Sequence, residues 1–338
     1  MTAAASVPFA LDEATPWPIS VEDVERARER LAPFLVPTAL RHYPLLDELF
    51  GDGTSLLVKH ENHQPTCSFK VRNGLSFMTA LSAEERARGV VAASTGNHGQ
   101  GIAYAAALLG VRATICVPVG NNPEKNAAMR AWGATVRETG RNYDESVDAM
   151  LALAAEEGLC VAHSTNDANV LAGAATLSLE IAEQSGGLDA MVVAVGGGSQ
   201  SVGALTVARA LMPGMPVFGV QCAAAPAIHD SWHGGEPRRT ERADTFAEGV
   251  ATRQPYALTF STLREGLADF VTVTEAELAE AIRAILQRTH NLVEGAGALG
   301  VAGALKLRER LRGKRVGVIF SGANIDTSVL LRILRREL

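Results

Sequence analysis

The chain has 338 residues with 31 basic and 37 acidic side chains, and its net charge of −6 argues against a nucleic-acid-binding surface. A hydrophobic fraction of 47% is enough for a sizeable core and excludes a disordered chain. No apolar run approaches the ~18 residues that span a bilayer, Met1–Asp12 lacks the pattern of a signal peptide, and the four scattered cysteines form no CxxC pair. We expect a cytoplasmic protein of about two domains, with no membrane partner.

Short apolar runs alternate with helical patterns along most of the chain. The runs are mostly continuous, which predicts strands covered on both faces at Leu56–Lys59, Val90–Ala93, Ala113–Val117, Met191–Val195, Val217–Val220 and Val316–Phe320. Ala-rich stretches predict helices over His98–Leu109, Glu124–Trp132, Tyr143–Glu157, Ala172–Glu183, Gln200–Leu211 and Glu275–Thr289. This rhythm predicts an α/β fold with a parallel, helix-covered sheet. The segment Ala224–Tyr256 has no clear period and is interpreted as a surface excursion.

The segment after the first predicted strand contains Lys70, one of only five lysines in the chain. Its apolar neighbours Phe69 and Val71 and its place at a helix start disfavour the ammonium form, which lowers its pKa. A lysine of this kind forms Schiff bases with carbonyl compounds. A solvated surface lysine is the alternative. His60 and His63 suggest a metal site, but further ligands are not evident.

Three further polar clusters each follow a predicted strand. The hydroxyls and amides of Ser94–His98 form a suitable cradle for a carboxylate, or simply a helix cap. The glycines of Gly196–Ser199 leave backbone amides free to surround a phosphate at a helix start, or form an ordinary turn. Ser321 offers one neutral hydrogen bond, or caps a turn. Open α/β sheets bind their ligands where these strands end.

Together these motifs resemble one family. The segments Pro65–Lys70, Ser94–His98, Gly196–Ser199 and Ser321–Asn324 resemble the pyridoxal-phosphate enzymes of fold type II, in the threonine/serine dehydratase and serine racemase branch. Glu124–Met129, Thr245–Gly249 and His290–Gly297 are similar to the threonine-dehydratase-like enzymes of hydroxyectoine breakdown.

The resemblance covers nearly the whole chain and implies a two-lobed fold. It implies open, twisted, mostly parallel sheets with helices on both faces, as in the tryptophan synthase β-like architecture. A large cofactor-binding domain would span residues 1–88 and 167–338, and a small mobile domain would span residues 89–166. The resemblance also implies a homodimer with pyridoxal 5'-phosphate as cofactor and a small amino acid as substrate.

The resemblance also implies roles for single residues. Lys70 would hold the cofactor covalently and later move the Cα proton of the substrate, and Thr95 would be a second catalytic residue. The implied cofactor-binding residues are Phe69, Lys70, Asn97, Gly196, Gly197, Gly198, Ser199, Glu294 and Ser321. The implied substrate-binding residues are Ser94, Thr95, Gly96, Asn97 and His98.

The implied place of Ser321 beside the pyridine nitrogen favours one reaction type. A serine hydroxyl does not keep that nitrogen charged, so the ring withdraws electrons less strongly than it would beside a carboxylate. Rapid loss of a β-leaving group is then favoured. The chain would therefore remove water from a 3-hydroxy amino acid such as L-threonine or L-serine, giving a 2-oxo acid and ammonia.

Three alternatives remain open. Thr95 stands where racemases carry a catalytic serine, so an amino-acid racemase acting on serine, threonine or hydroxyaspartate is one. The second is a dehydratase of a larger substrate, either phenylserine or a hydroxyectoine-derived amino acid. The third is a non-enzymatic protein that binds the cofactor or an amino acid.

The sequence also departs from the family pattern. Cys67 and Asn73 stand where glycine is common, which affects the loop around the lysine. Gln221 and Ala227 stand where racemases carry the carboxylates of a divalent-metal site. Since Mg²⁺ and Ca²⁺ need charged oxygen ligands, we expect no tight metal there.

Overall fold

The computed structural model describes residues 17–51 and 53–338, so Met1–Asp12 lies outside the described residues. Ten strands are present: β1 Leu40–His42, β2 Ser55–Lys59, β3 Val90–Ala93, β4 Ala113–Val117, β5 Thr135–Glu138, β6 Cys160–Val161, β7 Ala190–Ala194, β8 Val217–Cys222, β9 Asp269–Val273 and β10 Arg315–Ile319 within those ranges.

Helices connect most of these strands. In the same part of the chain they are α1 Val21–Leu31, α2 Pro44–Asp47, α3 Lys70–Ala80, α4 Ala83–Arg88, α5 Asn97–Leu109, α6 Pro123–Ala131, α7 Tyr143–Glu157, α8 Ala168–Ser185, α9 Ser199–Leu211, α10 Ala227–Gly234, α11 Ala257–Gly266, α12 Glu275–Thr289, α13 Gly295–Lys306, α14 Arg308–Leu311 and α15 Thr327–Leu334. Two short 3₁₀ helices lie at Glu61–His63 and Glu248–Val250.

The strands form two sheets. The six-stranded sheet has the order β1-β2-β10-β7-β8-β9, and only the β1–β2 pair is antiparallel. The four-stranded sheet has the order β5-β4-β3-β6 and is parallel throughout. These sheets confirm the predicted α/β class with mostly parallel strands.

Helices cover both faces of each sheet. Along β7, Val192 packs with α12 and α13 on one face, while Val193 packs with α9 and α11 on the other. In the smaller sheet, Ala92 packs with α3 and α5, and Val91 packs with α7. Successive strand residues point to opposite faces, so a strand covered on both sides reads as a continuous apolar run. Across the described residues, no helix is both long and apolar enough to cross a membrane.

The predicted strands are confirmed to within two residues at each end, but four strands were missed. The missed strands are β1, β5, β6 and β9, which are the edges of the two sheets. These edge strands are only partly buried, and β5 is almost entirely accessible, so they lack the continuous apolar run. The predicted helices are confirmed, although α8 begins four residues earlier than expected because Asp167 caps it.

The prediction that Ala224–Tyr256 is a surface excursion is wrong in part. This segment contains α10 and the 3₁₀ helix Glu248–Val250, and Ala247 and Val250 are buried in the main core. Its helical content was missed because α10 is only eight residues long and mixes histidine and tryptophan with glycine.

A buried ionic network fixes the helix that begins at Lys70. Arg72 pairs with Glu61 at 2.8 Å and with Glu180 at 2.7 Å, and Lys59 pairs with Glu180 at 2.6 Å. All four side chains are buried, and their two positive and two negative charges balance, as buried ions require. Because these residues lie on β2, α3, α8 and the segment between β2 and α3, the network holds α3 against the sheet.

Candidate active site

Four polar segments meet at one edge of the six-stranded sheet. The strands β2, β10 and β7 are neighbours and parallel, so their carboxyl ends lie side by side. The lysine segment follows β2, Ser321 follows β10, and Gly196–Ser199 follows β7. The Ser94–His98 loop follows β3 of the other sheet and reaches this edge through Asn97, which hydrogen-bonds Glu294 and Asn324. The topology therefore places at one edge motifs that are far apart in sequence.

Lys70 is the first residue of α3, and its amine lies among neutral groups. Its Nζ donates to the Ser164 carbonyl at 3.2 Å and to Ser199 Oγ at 3.4 Å, and it lies 5.1 Å from the centre of the Phe69 ring. Within the described part of the chain no carboxylate lies close enough to favour the ammonium form, and burial lowers the pKa of Lys70 to about 8. The amine is therefore partly neutral near physiological pH, which a nucleophile or a base requires.

The glycine segment forms a cradle with no room for side chains. A Cβ on Gly197 would lie 2.3 Å from Thr165 Oγ1, and one on Gly198 would lie 2.9 Å from Thr259 Cβ. Gly198 also has a φ of +102°, which L side chains rarely adopt. Helix α9 starts at Ser199. The amides of its first turn therefore have no partner within the helix, and they lie at the positive end of the helix dipole.

Further polar atoms complete this cradle. Asn73 Nδ2 donates to Ser199 Oγ at 3.5 Å, which joins α3 to the glycine segment. Within the described residues, the buried Nε2 of Gln200 has no hydrogen-bond partner, although it lies in the first turn of α9. A phosphoryl group is well bound by a free side-chain amide and free backbone amides at the positive end of a helix. The residues present therefore fit the phosphate of the implied cofactor.

Ser321 lies directly beside the lysine segment. The Phe69 amide donates to the Ser321 carbonyl at 3.0 Å, and Ser68 pairs with Gly322 in an isolated bridge. Ser321 is buried. In the same loop, Cys67 has a φ of +53°, a left-handed conformation that glycine adopts without strain. This conformation gives a physical reason why glycine is common at this position in the family that the motifs resemble.

The Ser94–His98 loop is organised around one hydroxyl. Ser94 Oγ accepts from the amides of Gly96 at 3.1 Å and Gly99 at 2.9 Å. The His98 side chain donates from Nε2 to the Ala162 carbonyl at 2.9 Å, so it points into the protein. Burial lowers its pKa to about 3, which keeps the ring neutral. Thr95 is half-buried, and its carbonyl accepts from Asn121 at 3.2 Å.

Asn97 and Glu294 bind each other. Asn97 Nδ2 donates to Glu294 Oε1 at 2.6 Å, and Asn97 Oδ1 accepts from Asn324 at 2.7 Å. An amide nitrogen has two hydrogens, so one donor of Asn97 remains available to a ligand. Burial raises the pKa of Glu294 to about 7, against the opposing effect of Lys125.

Because the pKa of Glu294 is raised in the folded state, this residue should lower the stability of the folded protein as pH rises. Below the unfolded pKa of 4.5 the carboxyl is protonated in both states, so the group has no linkage effect. As pH rises towards 7, the unfolded chain loses its proton first, and stability falls until the folded pKa is passed. We predict that Glu294→Gln stabilises the cofactor-free protein by about 1–3 kcal/mol at pH 8 and by almost nothing at pH 4.5. Urea unfolding at both pH values measures this, and an equal gain at both would contradict it.

Several residues of the site were not assigned from the sequence. Lys125 of α6 pairs with Glu248 at 2.6 Å and with Asp326 at 2.9 Å, and its alkyl chain lies 3.2 Å from where a Cβ on Gly96 would be. These contacts join α6 of the smaller sheet to segments beside the larger one. The scarcity of lysine was a usable signal, because Lys125 is one of only five.

The positions considered for metal are occupied by hydrogen bonds. Gln221 Oε1 accepts from the His229 amide at 3.0 Å, and Gln221 Nε2 donates to Thr252 Oγ1 at 3.4 Å. His60 and His63 stack at 4.6 Å, and His63 bonds to Asn291 at 2.8 Å. Across residues 17–51 and 53–338, no group of three His, Cys, Asp or Glu side chains is arranged to hold a metal.

Comparison with known proteins gives consistent matches. The profile of the family described as pyridoxal-phosphate dependent enzyme matches residues 31–322. The chain is 38% identical to L-threonine ammonia-lyase of Thermotoga maritima, over 95% of this chain and 79% of that protein. It is 36% identical to L-threo-3-hydroxyaspartate ammonia-lyase of Pseudomonas sp, over 94% and 98%. The crystal structure of a threonine deaminase from T.th. superposes with a TM-score of 0.86 at 38% identity, over 91% and 99%.

Proposed function

This chain belongs to the pyridoxal-phosphate-dependent enzymes and is an ammonia-lyase, and we propose that it acts on L-3-hydroxy amino acids such as L-threonine and L-serine. It would remove water and release a 2-oxo acid and ammonia. The observation that carries this proposal is the place of Lys70, whose amine lies among neutral groups within hydrogen-bond distance of Ser199. The two relatives compared above, named for threonine and 3-hydroxyaspartate, share the 3-hydroxy amino acid as substrate.

The residues that would hold the cofactor surround this amine. Lys70 would bind it covalently, the Gly196–Ser199 segment would bind its phosphate, and Asn97 would use its remaining amide hydrogen. Phe69 would pack beside the ring, and Ser321 would face its nitrogen. Glu294 would act through Asn97, whose amide it orients at 2.6 Å. Bound pyridoxal phosphate supplies an electron-withdrawing ring that makes the Cα proton of a joined amino acid acidic.

The protein's own groups would then bind the substrate and move its proton. The amides at the start of α5 and the loop around Ser94 would bind the substrate carboxylate, since helix starts attract anions. Lys70 Nζ would remove the Cα proton, for which a pKa near 8 is well matched. The neutral hydroxyl of Ser321 leaves the cofactor ring a moderate electron sink, which favours prompt loss of the β-hydroxyl.

The two sheets suggest how the site would close. Residues 89–166 carry the smaller sheet, and we propose that this part is a mobile lobe and that residues 1–88 and 167–338 form the cofactor lobe. The Lys125 ion pairs and the Asn97–Glu294 hydrogen bond cross between the two parts and would hold the closed form. Closure would exclude water from the site. We also propose a cytoplasmic homodimer.

The proposed function is tested by ammonia and 2-oxo acid release. Purified protein with added pyridoxal phosphate is incubated with L-threonine, L-serine, L-threo-3-hydroxyaspartate and L-threo-phenylserine. We expect equal amounts of ammonia and 2-oxo acid from at least one of them. Cofactor binding without release from any substrate would indicate a binding protein instead.

Racemisation is measured in the same reactions. Thr95 keeps a hydroxyl where racemases carry a catalytic serine, so chiral analysis follows L-serine and D-serine over time. We expect elimination to outrun racemisation, and we expect Thr95→Ala to reduce any racemisation more than elimination. Racemisation faster than ammonia release would make the racemase the primary activity.

A further inference from the structure

Three polar ring side chains lie near Lys70. They are Tyr143, His163 and Tyr256, which we call the aromatic wall. The rings of His163 and Tyr256 meet edge to face at 5.5 Å, and Tyr256 Cε2 lies 3.1 Å from where a Cβ on Gly197 would be. Tyr143 hydrogen-bonds the side chain of Ser164, the residue whose carbonyl accepts from Lys70. The wall therefore borders both the lysine and the glycine cradle.

The aromatic wall is polar but uncharged. His163 Nδ1 accepts from the amides of Thr165 at 2.9 Å and Asn166 at 2.8 Å, so the ring carries its proton on Nε2. Burial and the ammonium of Lys70 lower the pKa of His163 to about 4. Burial also raises the pKa of the hydroxyls of Tyr143 and Tyr256. Near neutral pH the wall thus offers hydroxyl and ring N–H groups without net charge.

Several cations on neighbouring elements are already paired with carboxylates. Lys125 is bound by Glu248 and Asp326. Next to Tyr143 in sequence, Arg141 pairs with Glu145 at 2.6 Å, and Asp144 binds Arg239 at 3.0 Å and also Arg253. Once Lys70 holds the cofactor, a second carboxylate on a substrate would have to leave water and compete with these carboxylates for a cation, which is unfavourable.

We propose that the aromatic wall is the subsite for the substrate's side chain and that it selects 3-hydroxy amino acids with an uncharged side chain over those with a second carboxylate. This inference rests on the proposed function and narrows it. The chain would resemble the threonine-named relative in substrate choice rather than the hydroxyaspartate-named one. A substrate with a second carboxylate is disfavoured because the subsite offers that carboxylate no positive partner, and an unpaired charge of this kind is a common source of specificity.

Relative turnover of two substrates by one preparation tests the inference. We expect kcat/KM for L-threonine to exceed that for L-threo-3-hydroxyaspartate by at least about 100-fold. A ratio near one, or a preference for hydroxyaspartate, would overturn the inference and leave the ammonia-lyase function standing. Ammonia from none of the four substrates of the activity test would instead overturn the proposed function.

A binding measurement separates this selection from chemistry. L-2-Aminobutyrate and L-aspartate match the two substrates in shape but have no hydroxyl to lose. Calorimetric titration of the cofactor-loaded protein should give a dissociation constant at least about 10-fold larger for L-aspartate. This comparison tests the selection through binding alone, and tighter binding of L-aspartate would overturn the inference.

A variant that adds a positive charge to the aromatic wall tests whether the wall contacts the substrate's side chain. Tyr143→Arg should raise the hydroxyaspartate-to-threonine ratio of kcat/KM by at least about 10-fold, because it provides the missing cation. The control Leu108→Arg adds the same charge near the exposed end of α5 and should leave the ratio unchanged. Partial misfolding lowers both rates equally and does not move the ratio. Equal ratios in both variants would overturn the assignment of Tyr143 to the subsite.

Discussion

Lys70→Ala should abolish ammonia release, with a loss on the order of 10⁴-fold or more. The variant removes both the covalent attachment of the cofactor and the base for the Cα proton. The buried amine has no substitute nearby, because Lys125 is held by two carboxylates and Lys59 lies in the ionic network beneath α3. Ammonia release at saturating cofactor and the absorption band of bound cofactor are the two readouts, and both should be lost.

The control for this variant is Lys306→Ala. Lys306 lies on the surface and pairs with Glu277 at 2.8 Å. Its replacement therefore removes a lysine from the chain without changing the candidate active site. We expect wild-type activity and a wild-type absorption band from it. Activity within about 10-fold of wild type in Lys70→Ala would remove Lys70 from the chemistry.

Gly198→Ala should weaken cofactor binding by about 100-fold. The new Cβ would lie 2.9 Å from Thr259 Cβ, so the loop must shift, and its amides would then miss the phosphate. Losing one or two charge-assisted hydrogen bonds, at about 1.5–3 kcal/mol each, accounts for a change of this size. Titration of cofactor-free protein with pyridoxal phosphate, followed by absorbance, gives the dissociation constant.

Gly214→Ala provides the matched control for backbone strain. Gly214 also has a positive φ, of +83°, but no atom lies within 4 Å of its added Cβ. Both variants carry the strain of an L residue at positive φ, roughly 1–2 kcal/mol, but only Gly198→Ala has the steric clash. Equal cofactor affinity in the two variants would show that the cradle does not bind the phosphate.

The central strands could be predicted from sequence, and the edge strands could not. A strand such as β7 is buried on both faces, so every residue from Ala190 to Ala194 is apolar. The edge strand β5 reads Thr-Val-Arg-Glu and is nearly all exposed, so its pairing depends on β4 rather than on its own pattern. The capping boxes at Ser82 and Thr274 show a signal that sequence does carry, because each depends on two residues that are only three positions apart.

Candidate residues could be selected from sequence where they sit in short contiguous motifs, which the structure brings together. The segments around Lys70, Ser94, Gly197 and Ser321 each carry a local signal and lie where strands end. Lys125 and Glu248 meet although they are 123 residues apart, and nothing local in either segment indicates the ion pair. The aromatic wall is assembled in the same way from three separate segments. Long-range polar pairs of this kind depend on the fold and need the structure.

The central claim is that Lys70 is the residue that binds pyridoxal phosphate. Borohydride reduction of the cofactor-loaded protein fixes any carbon–nitrogen double bond as a stable adduct, and peptide mass spectrometry then locates it among the chain's five lysines. We predict one phosphopyridoxyl group per chain, on the peptide that contains Lys70. An adduct on Lys59, Lys125, Lys306 or Lys314 in place of Lys70, or no adduct at all, would contradict the account.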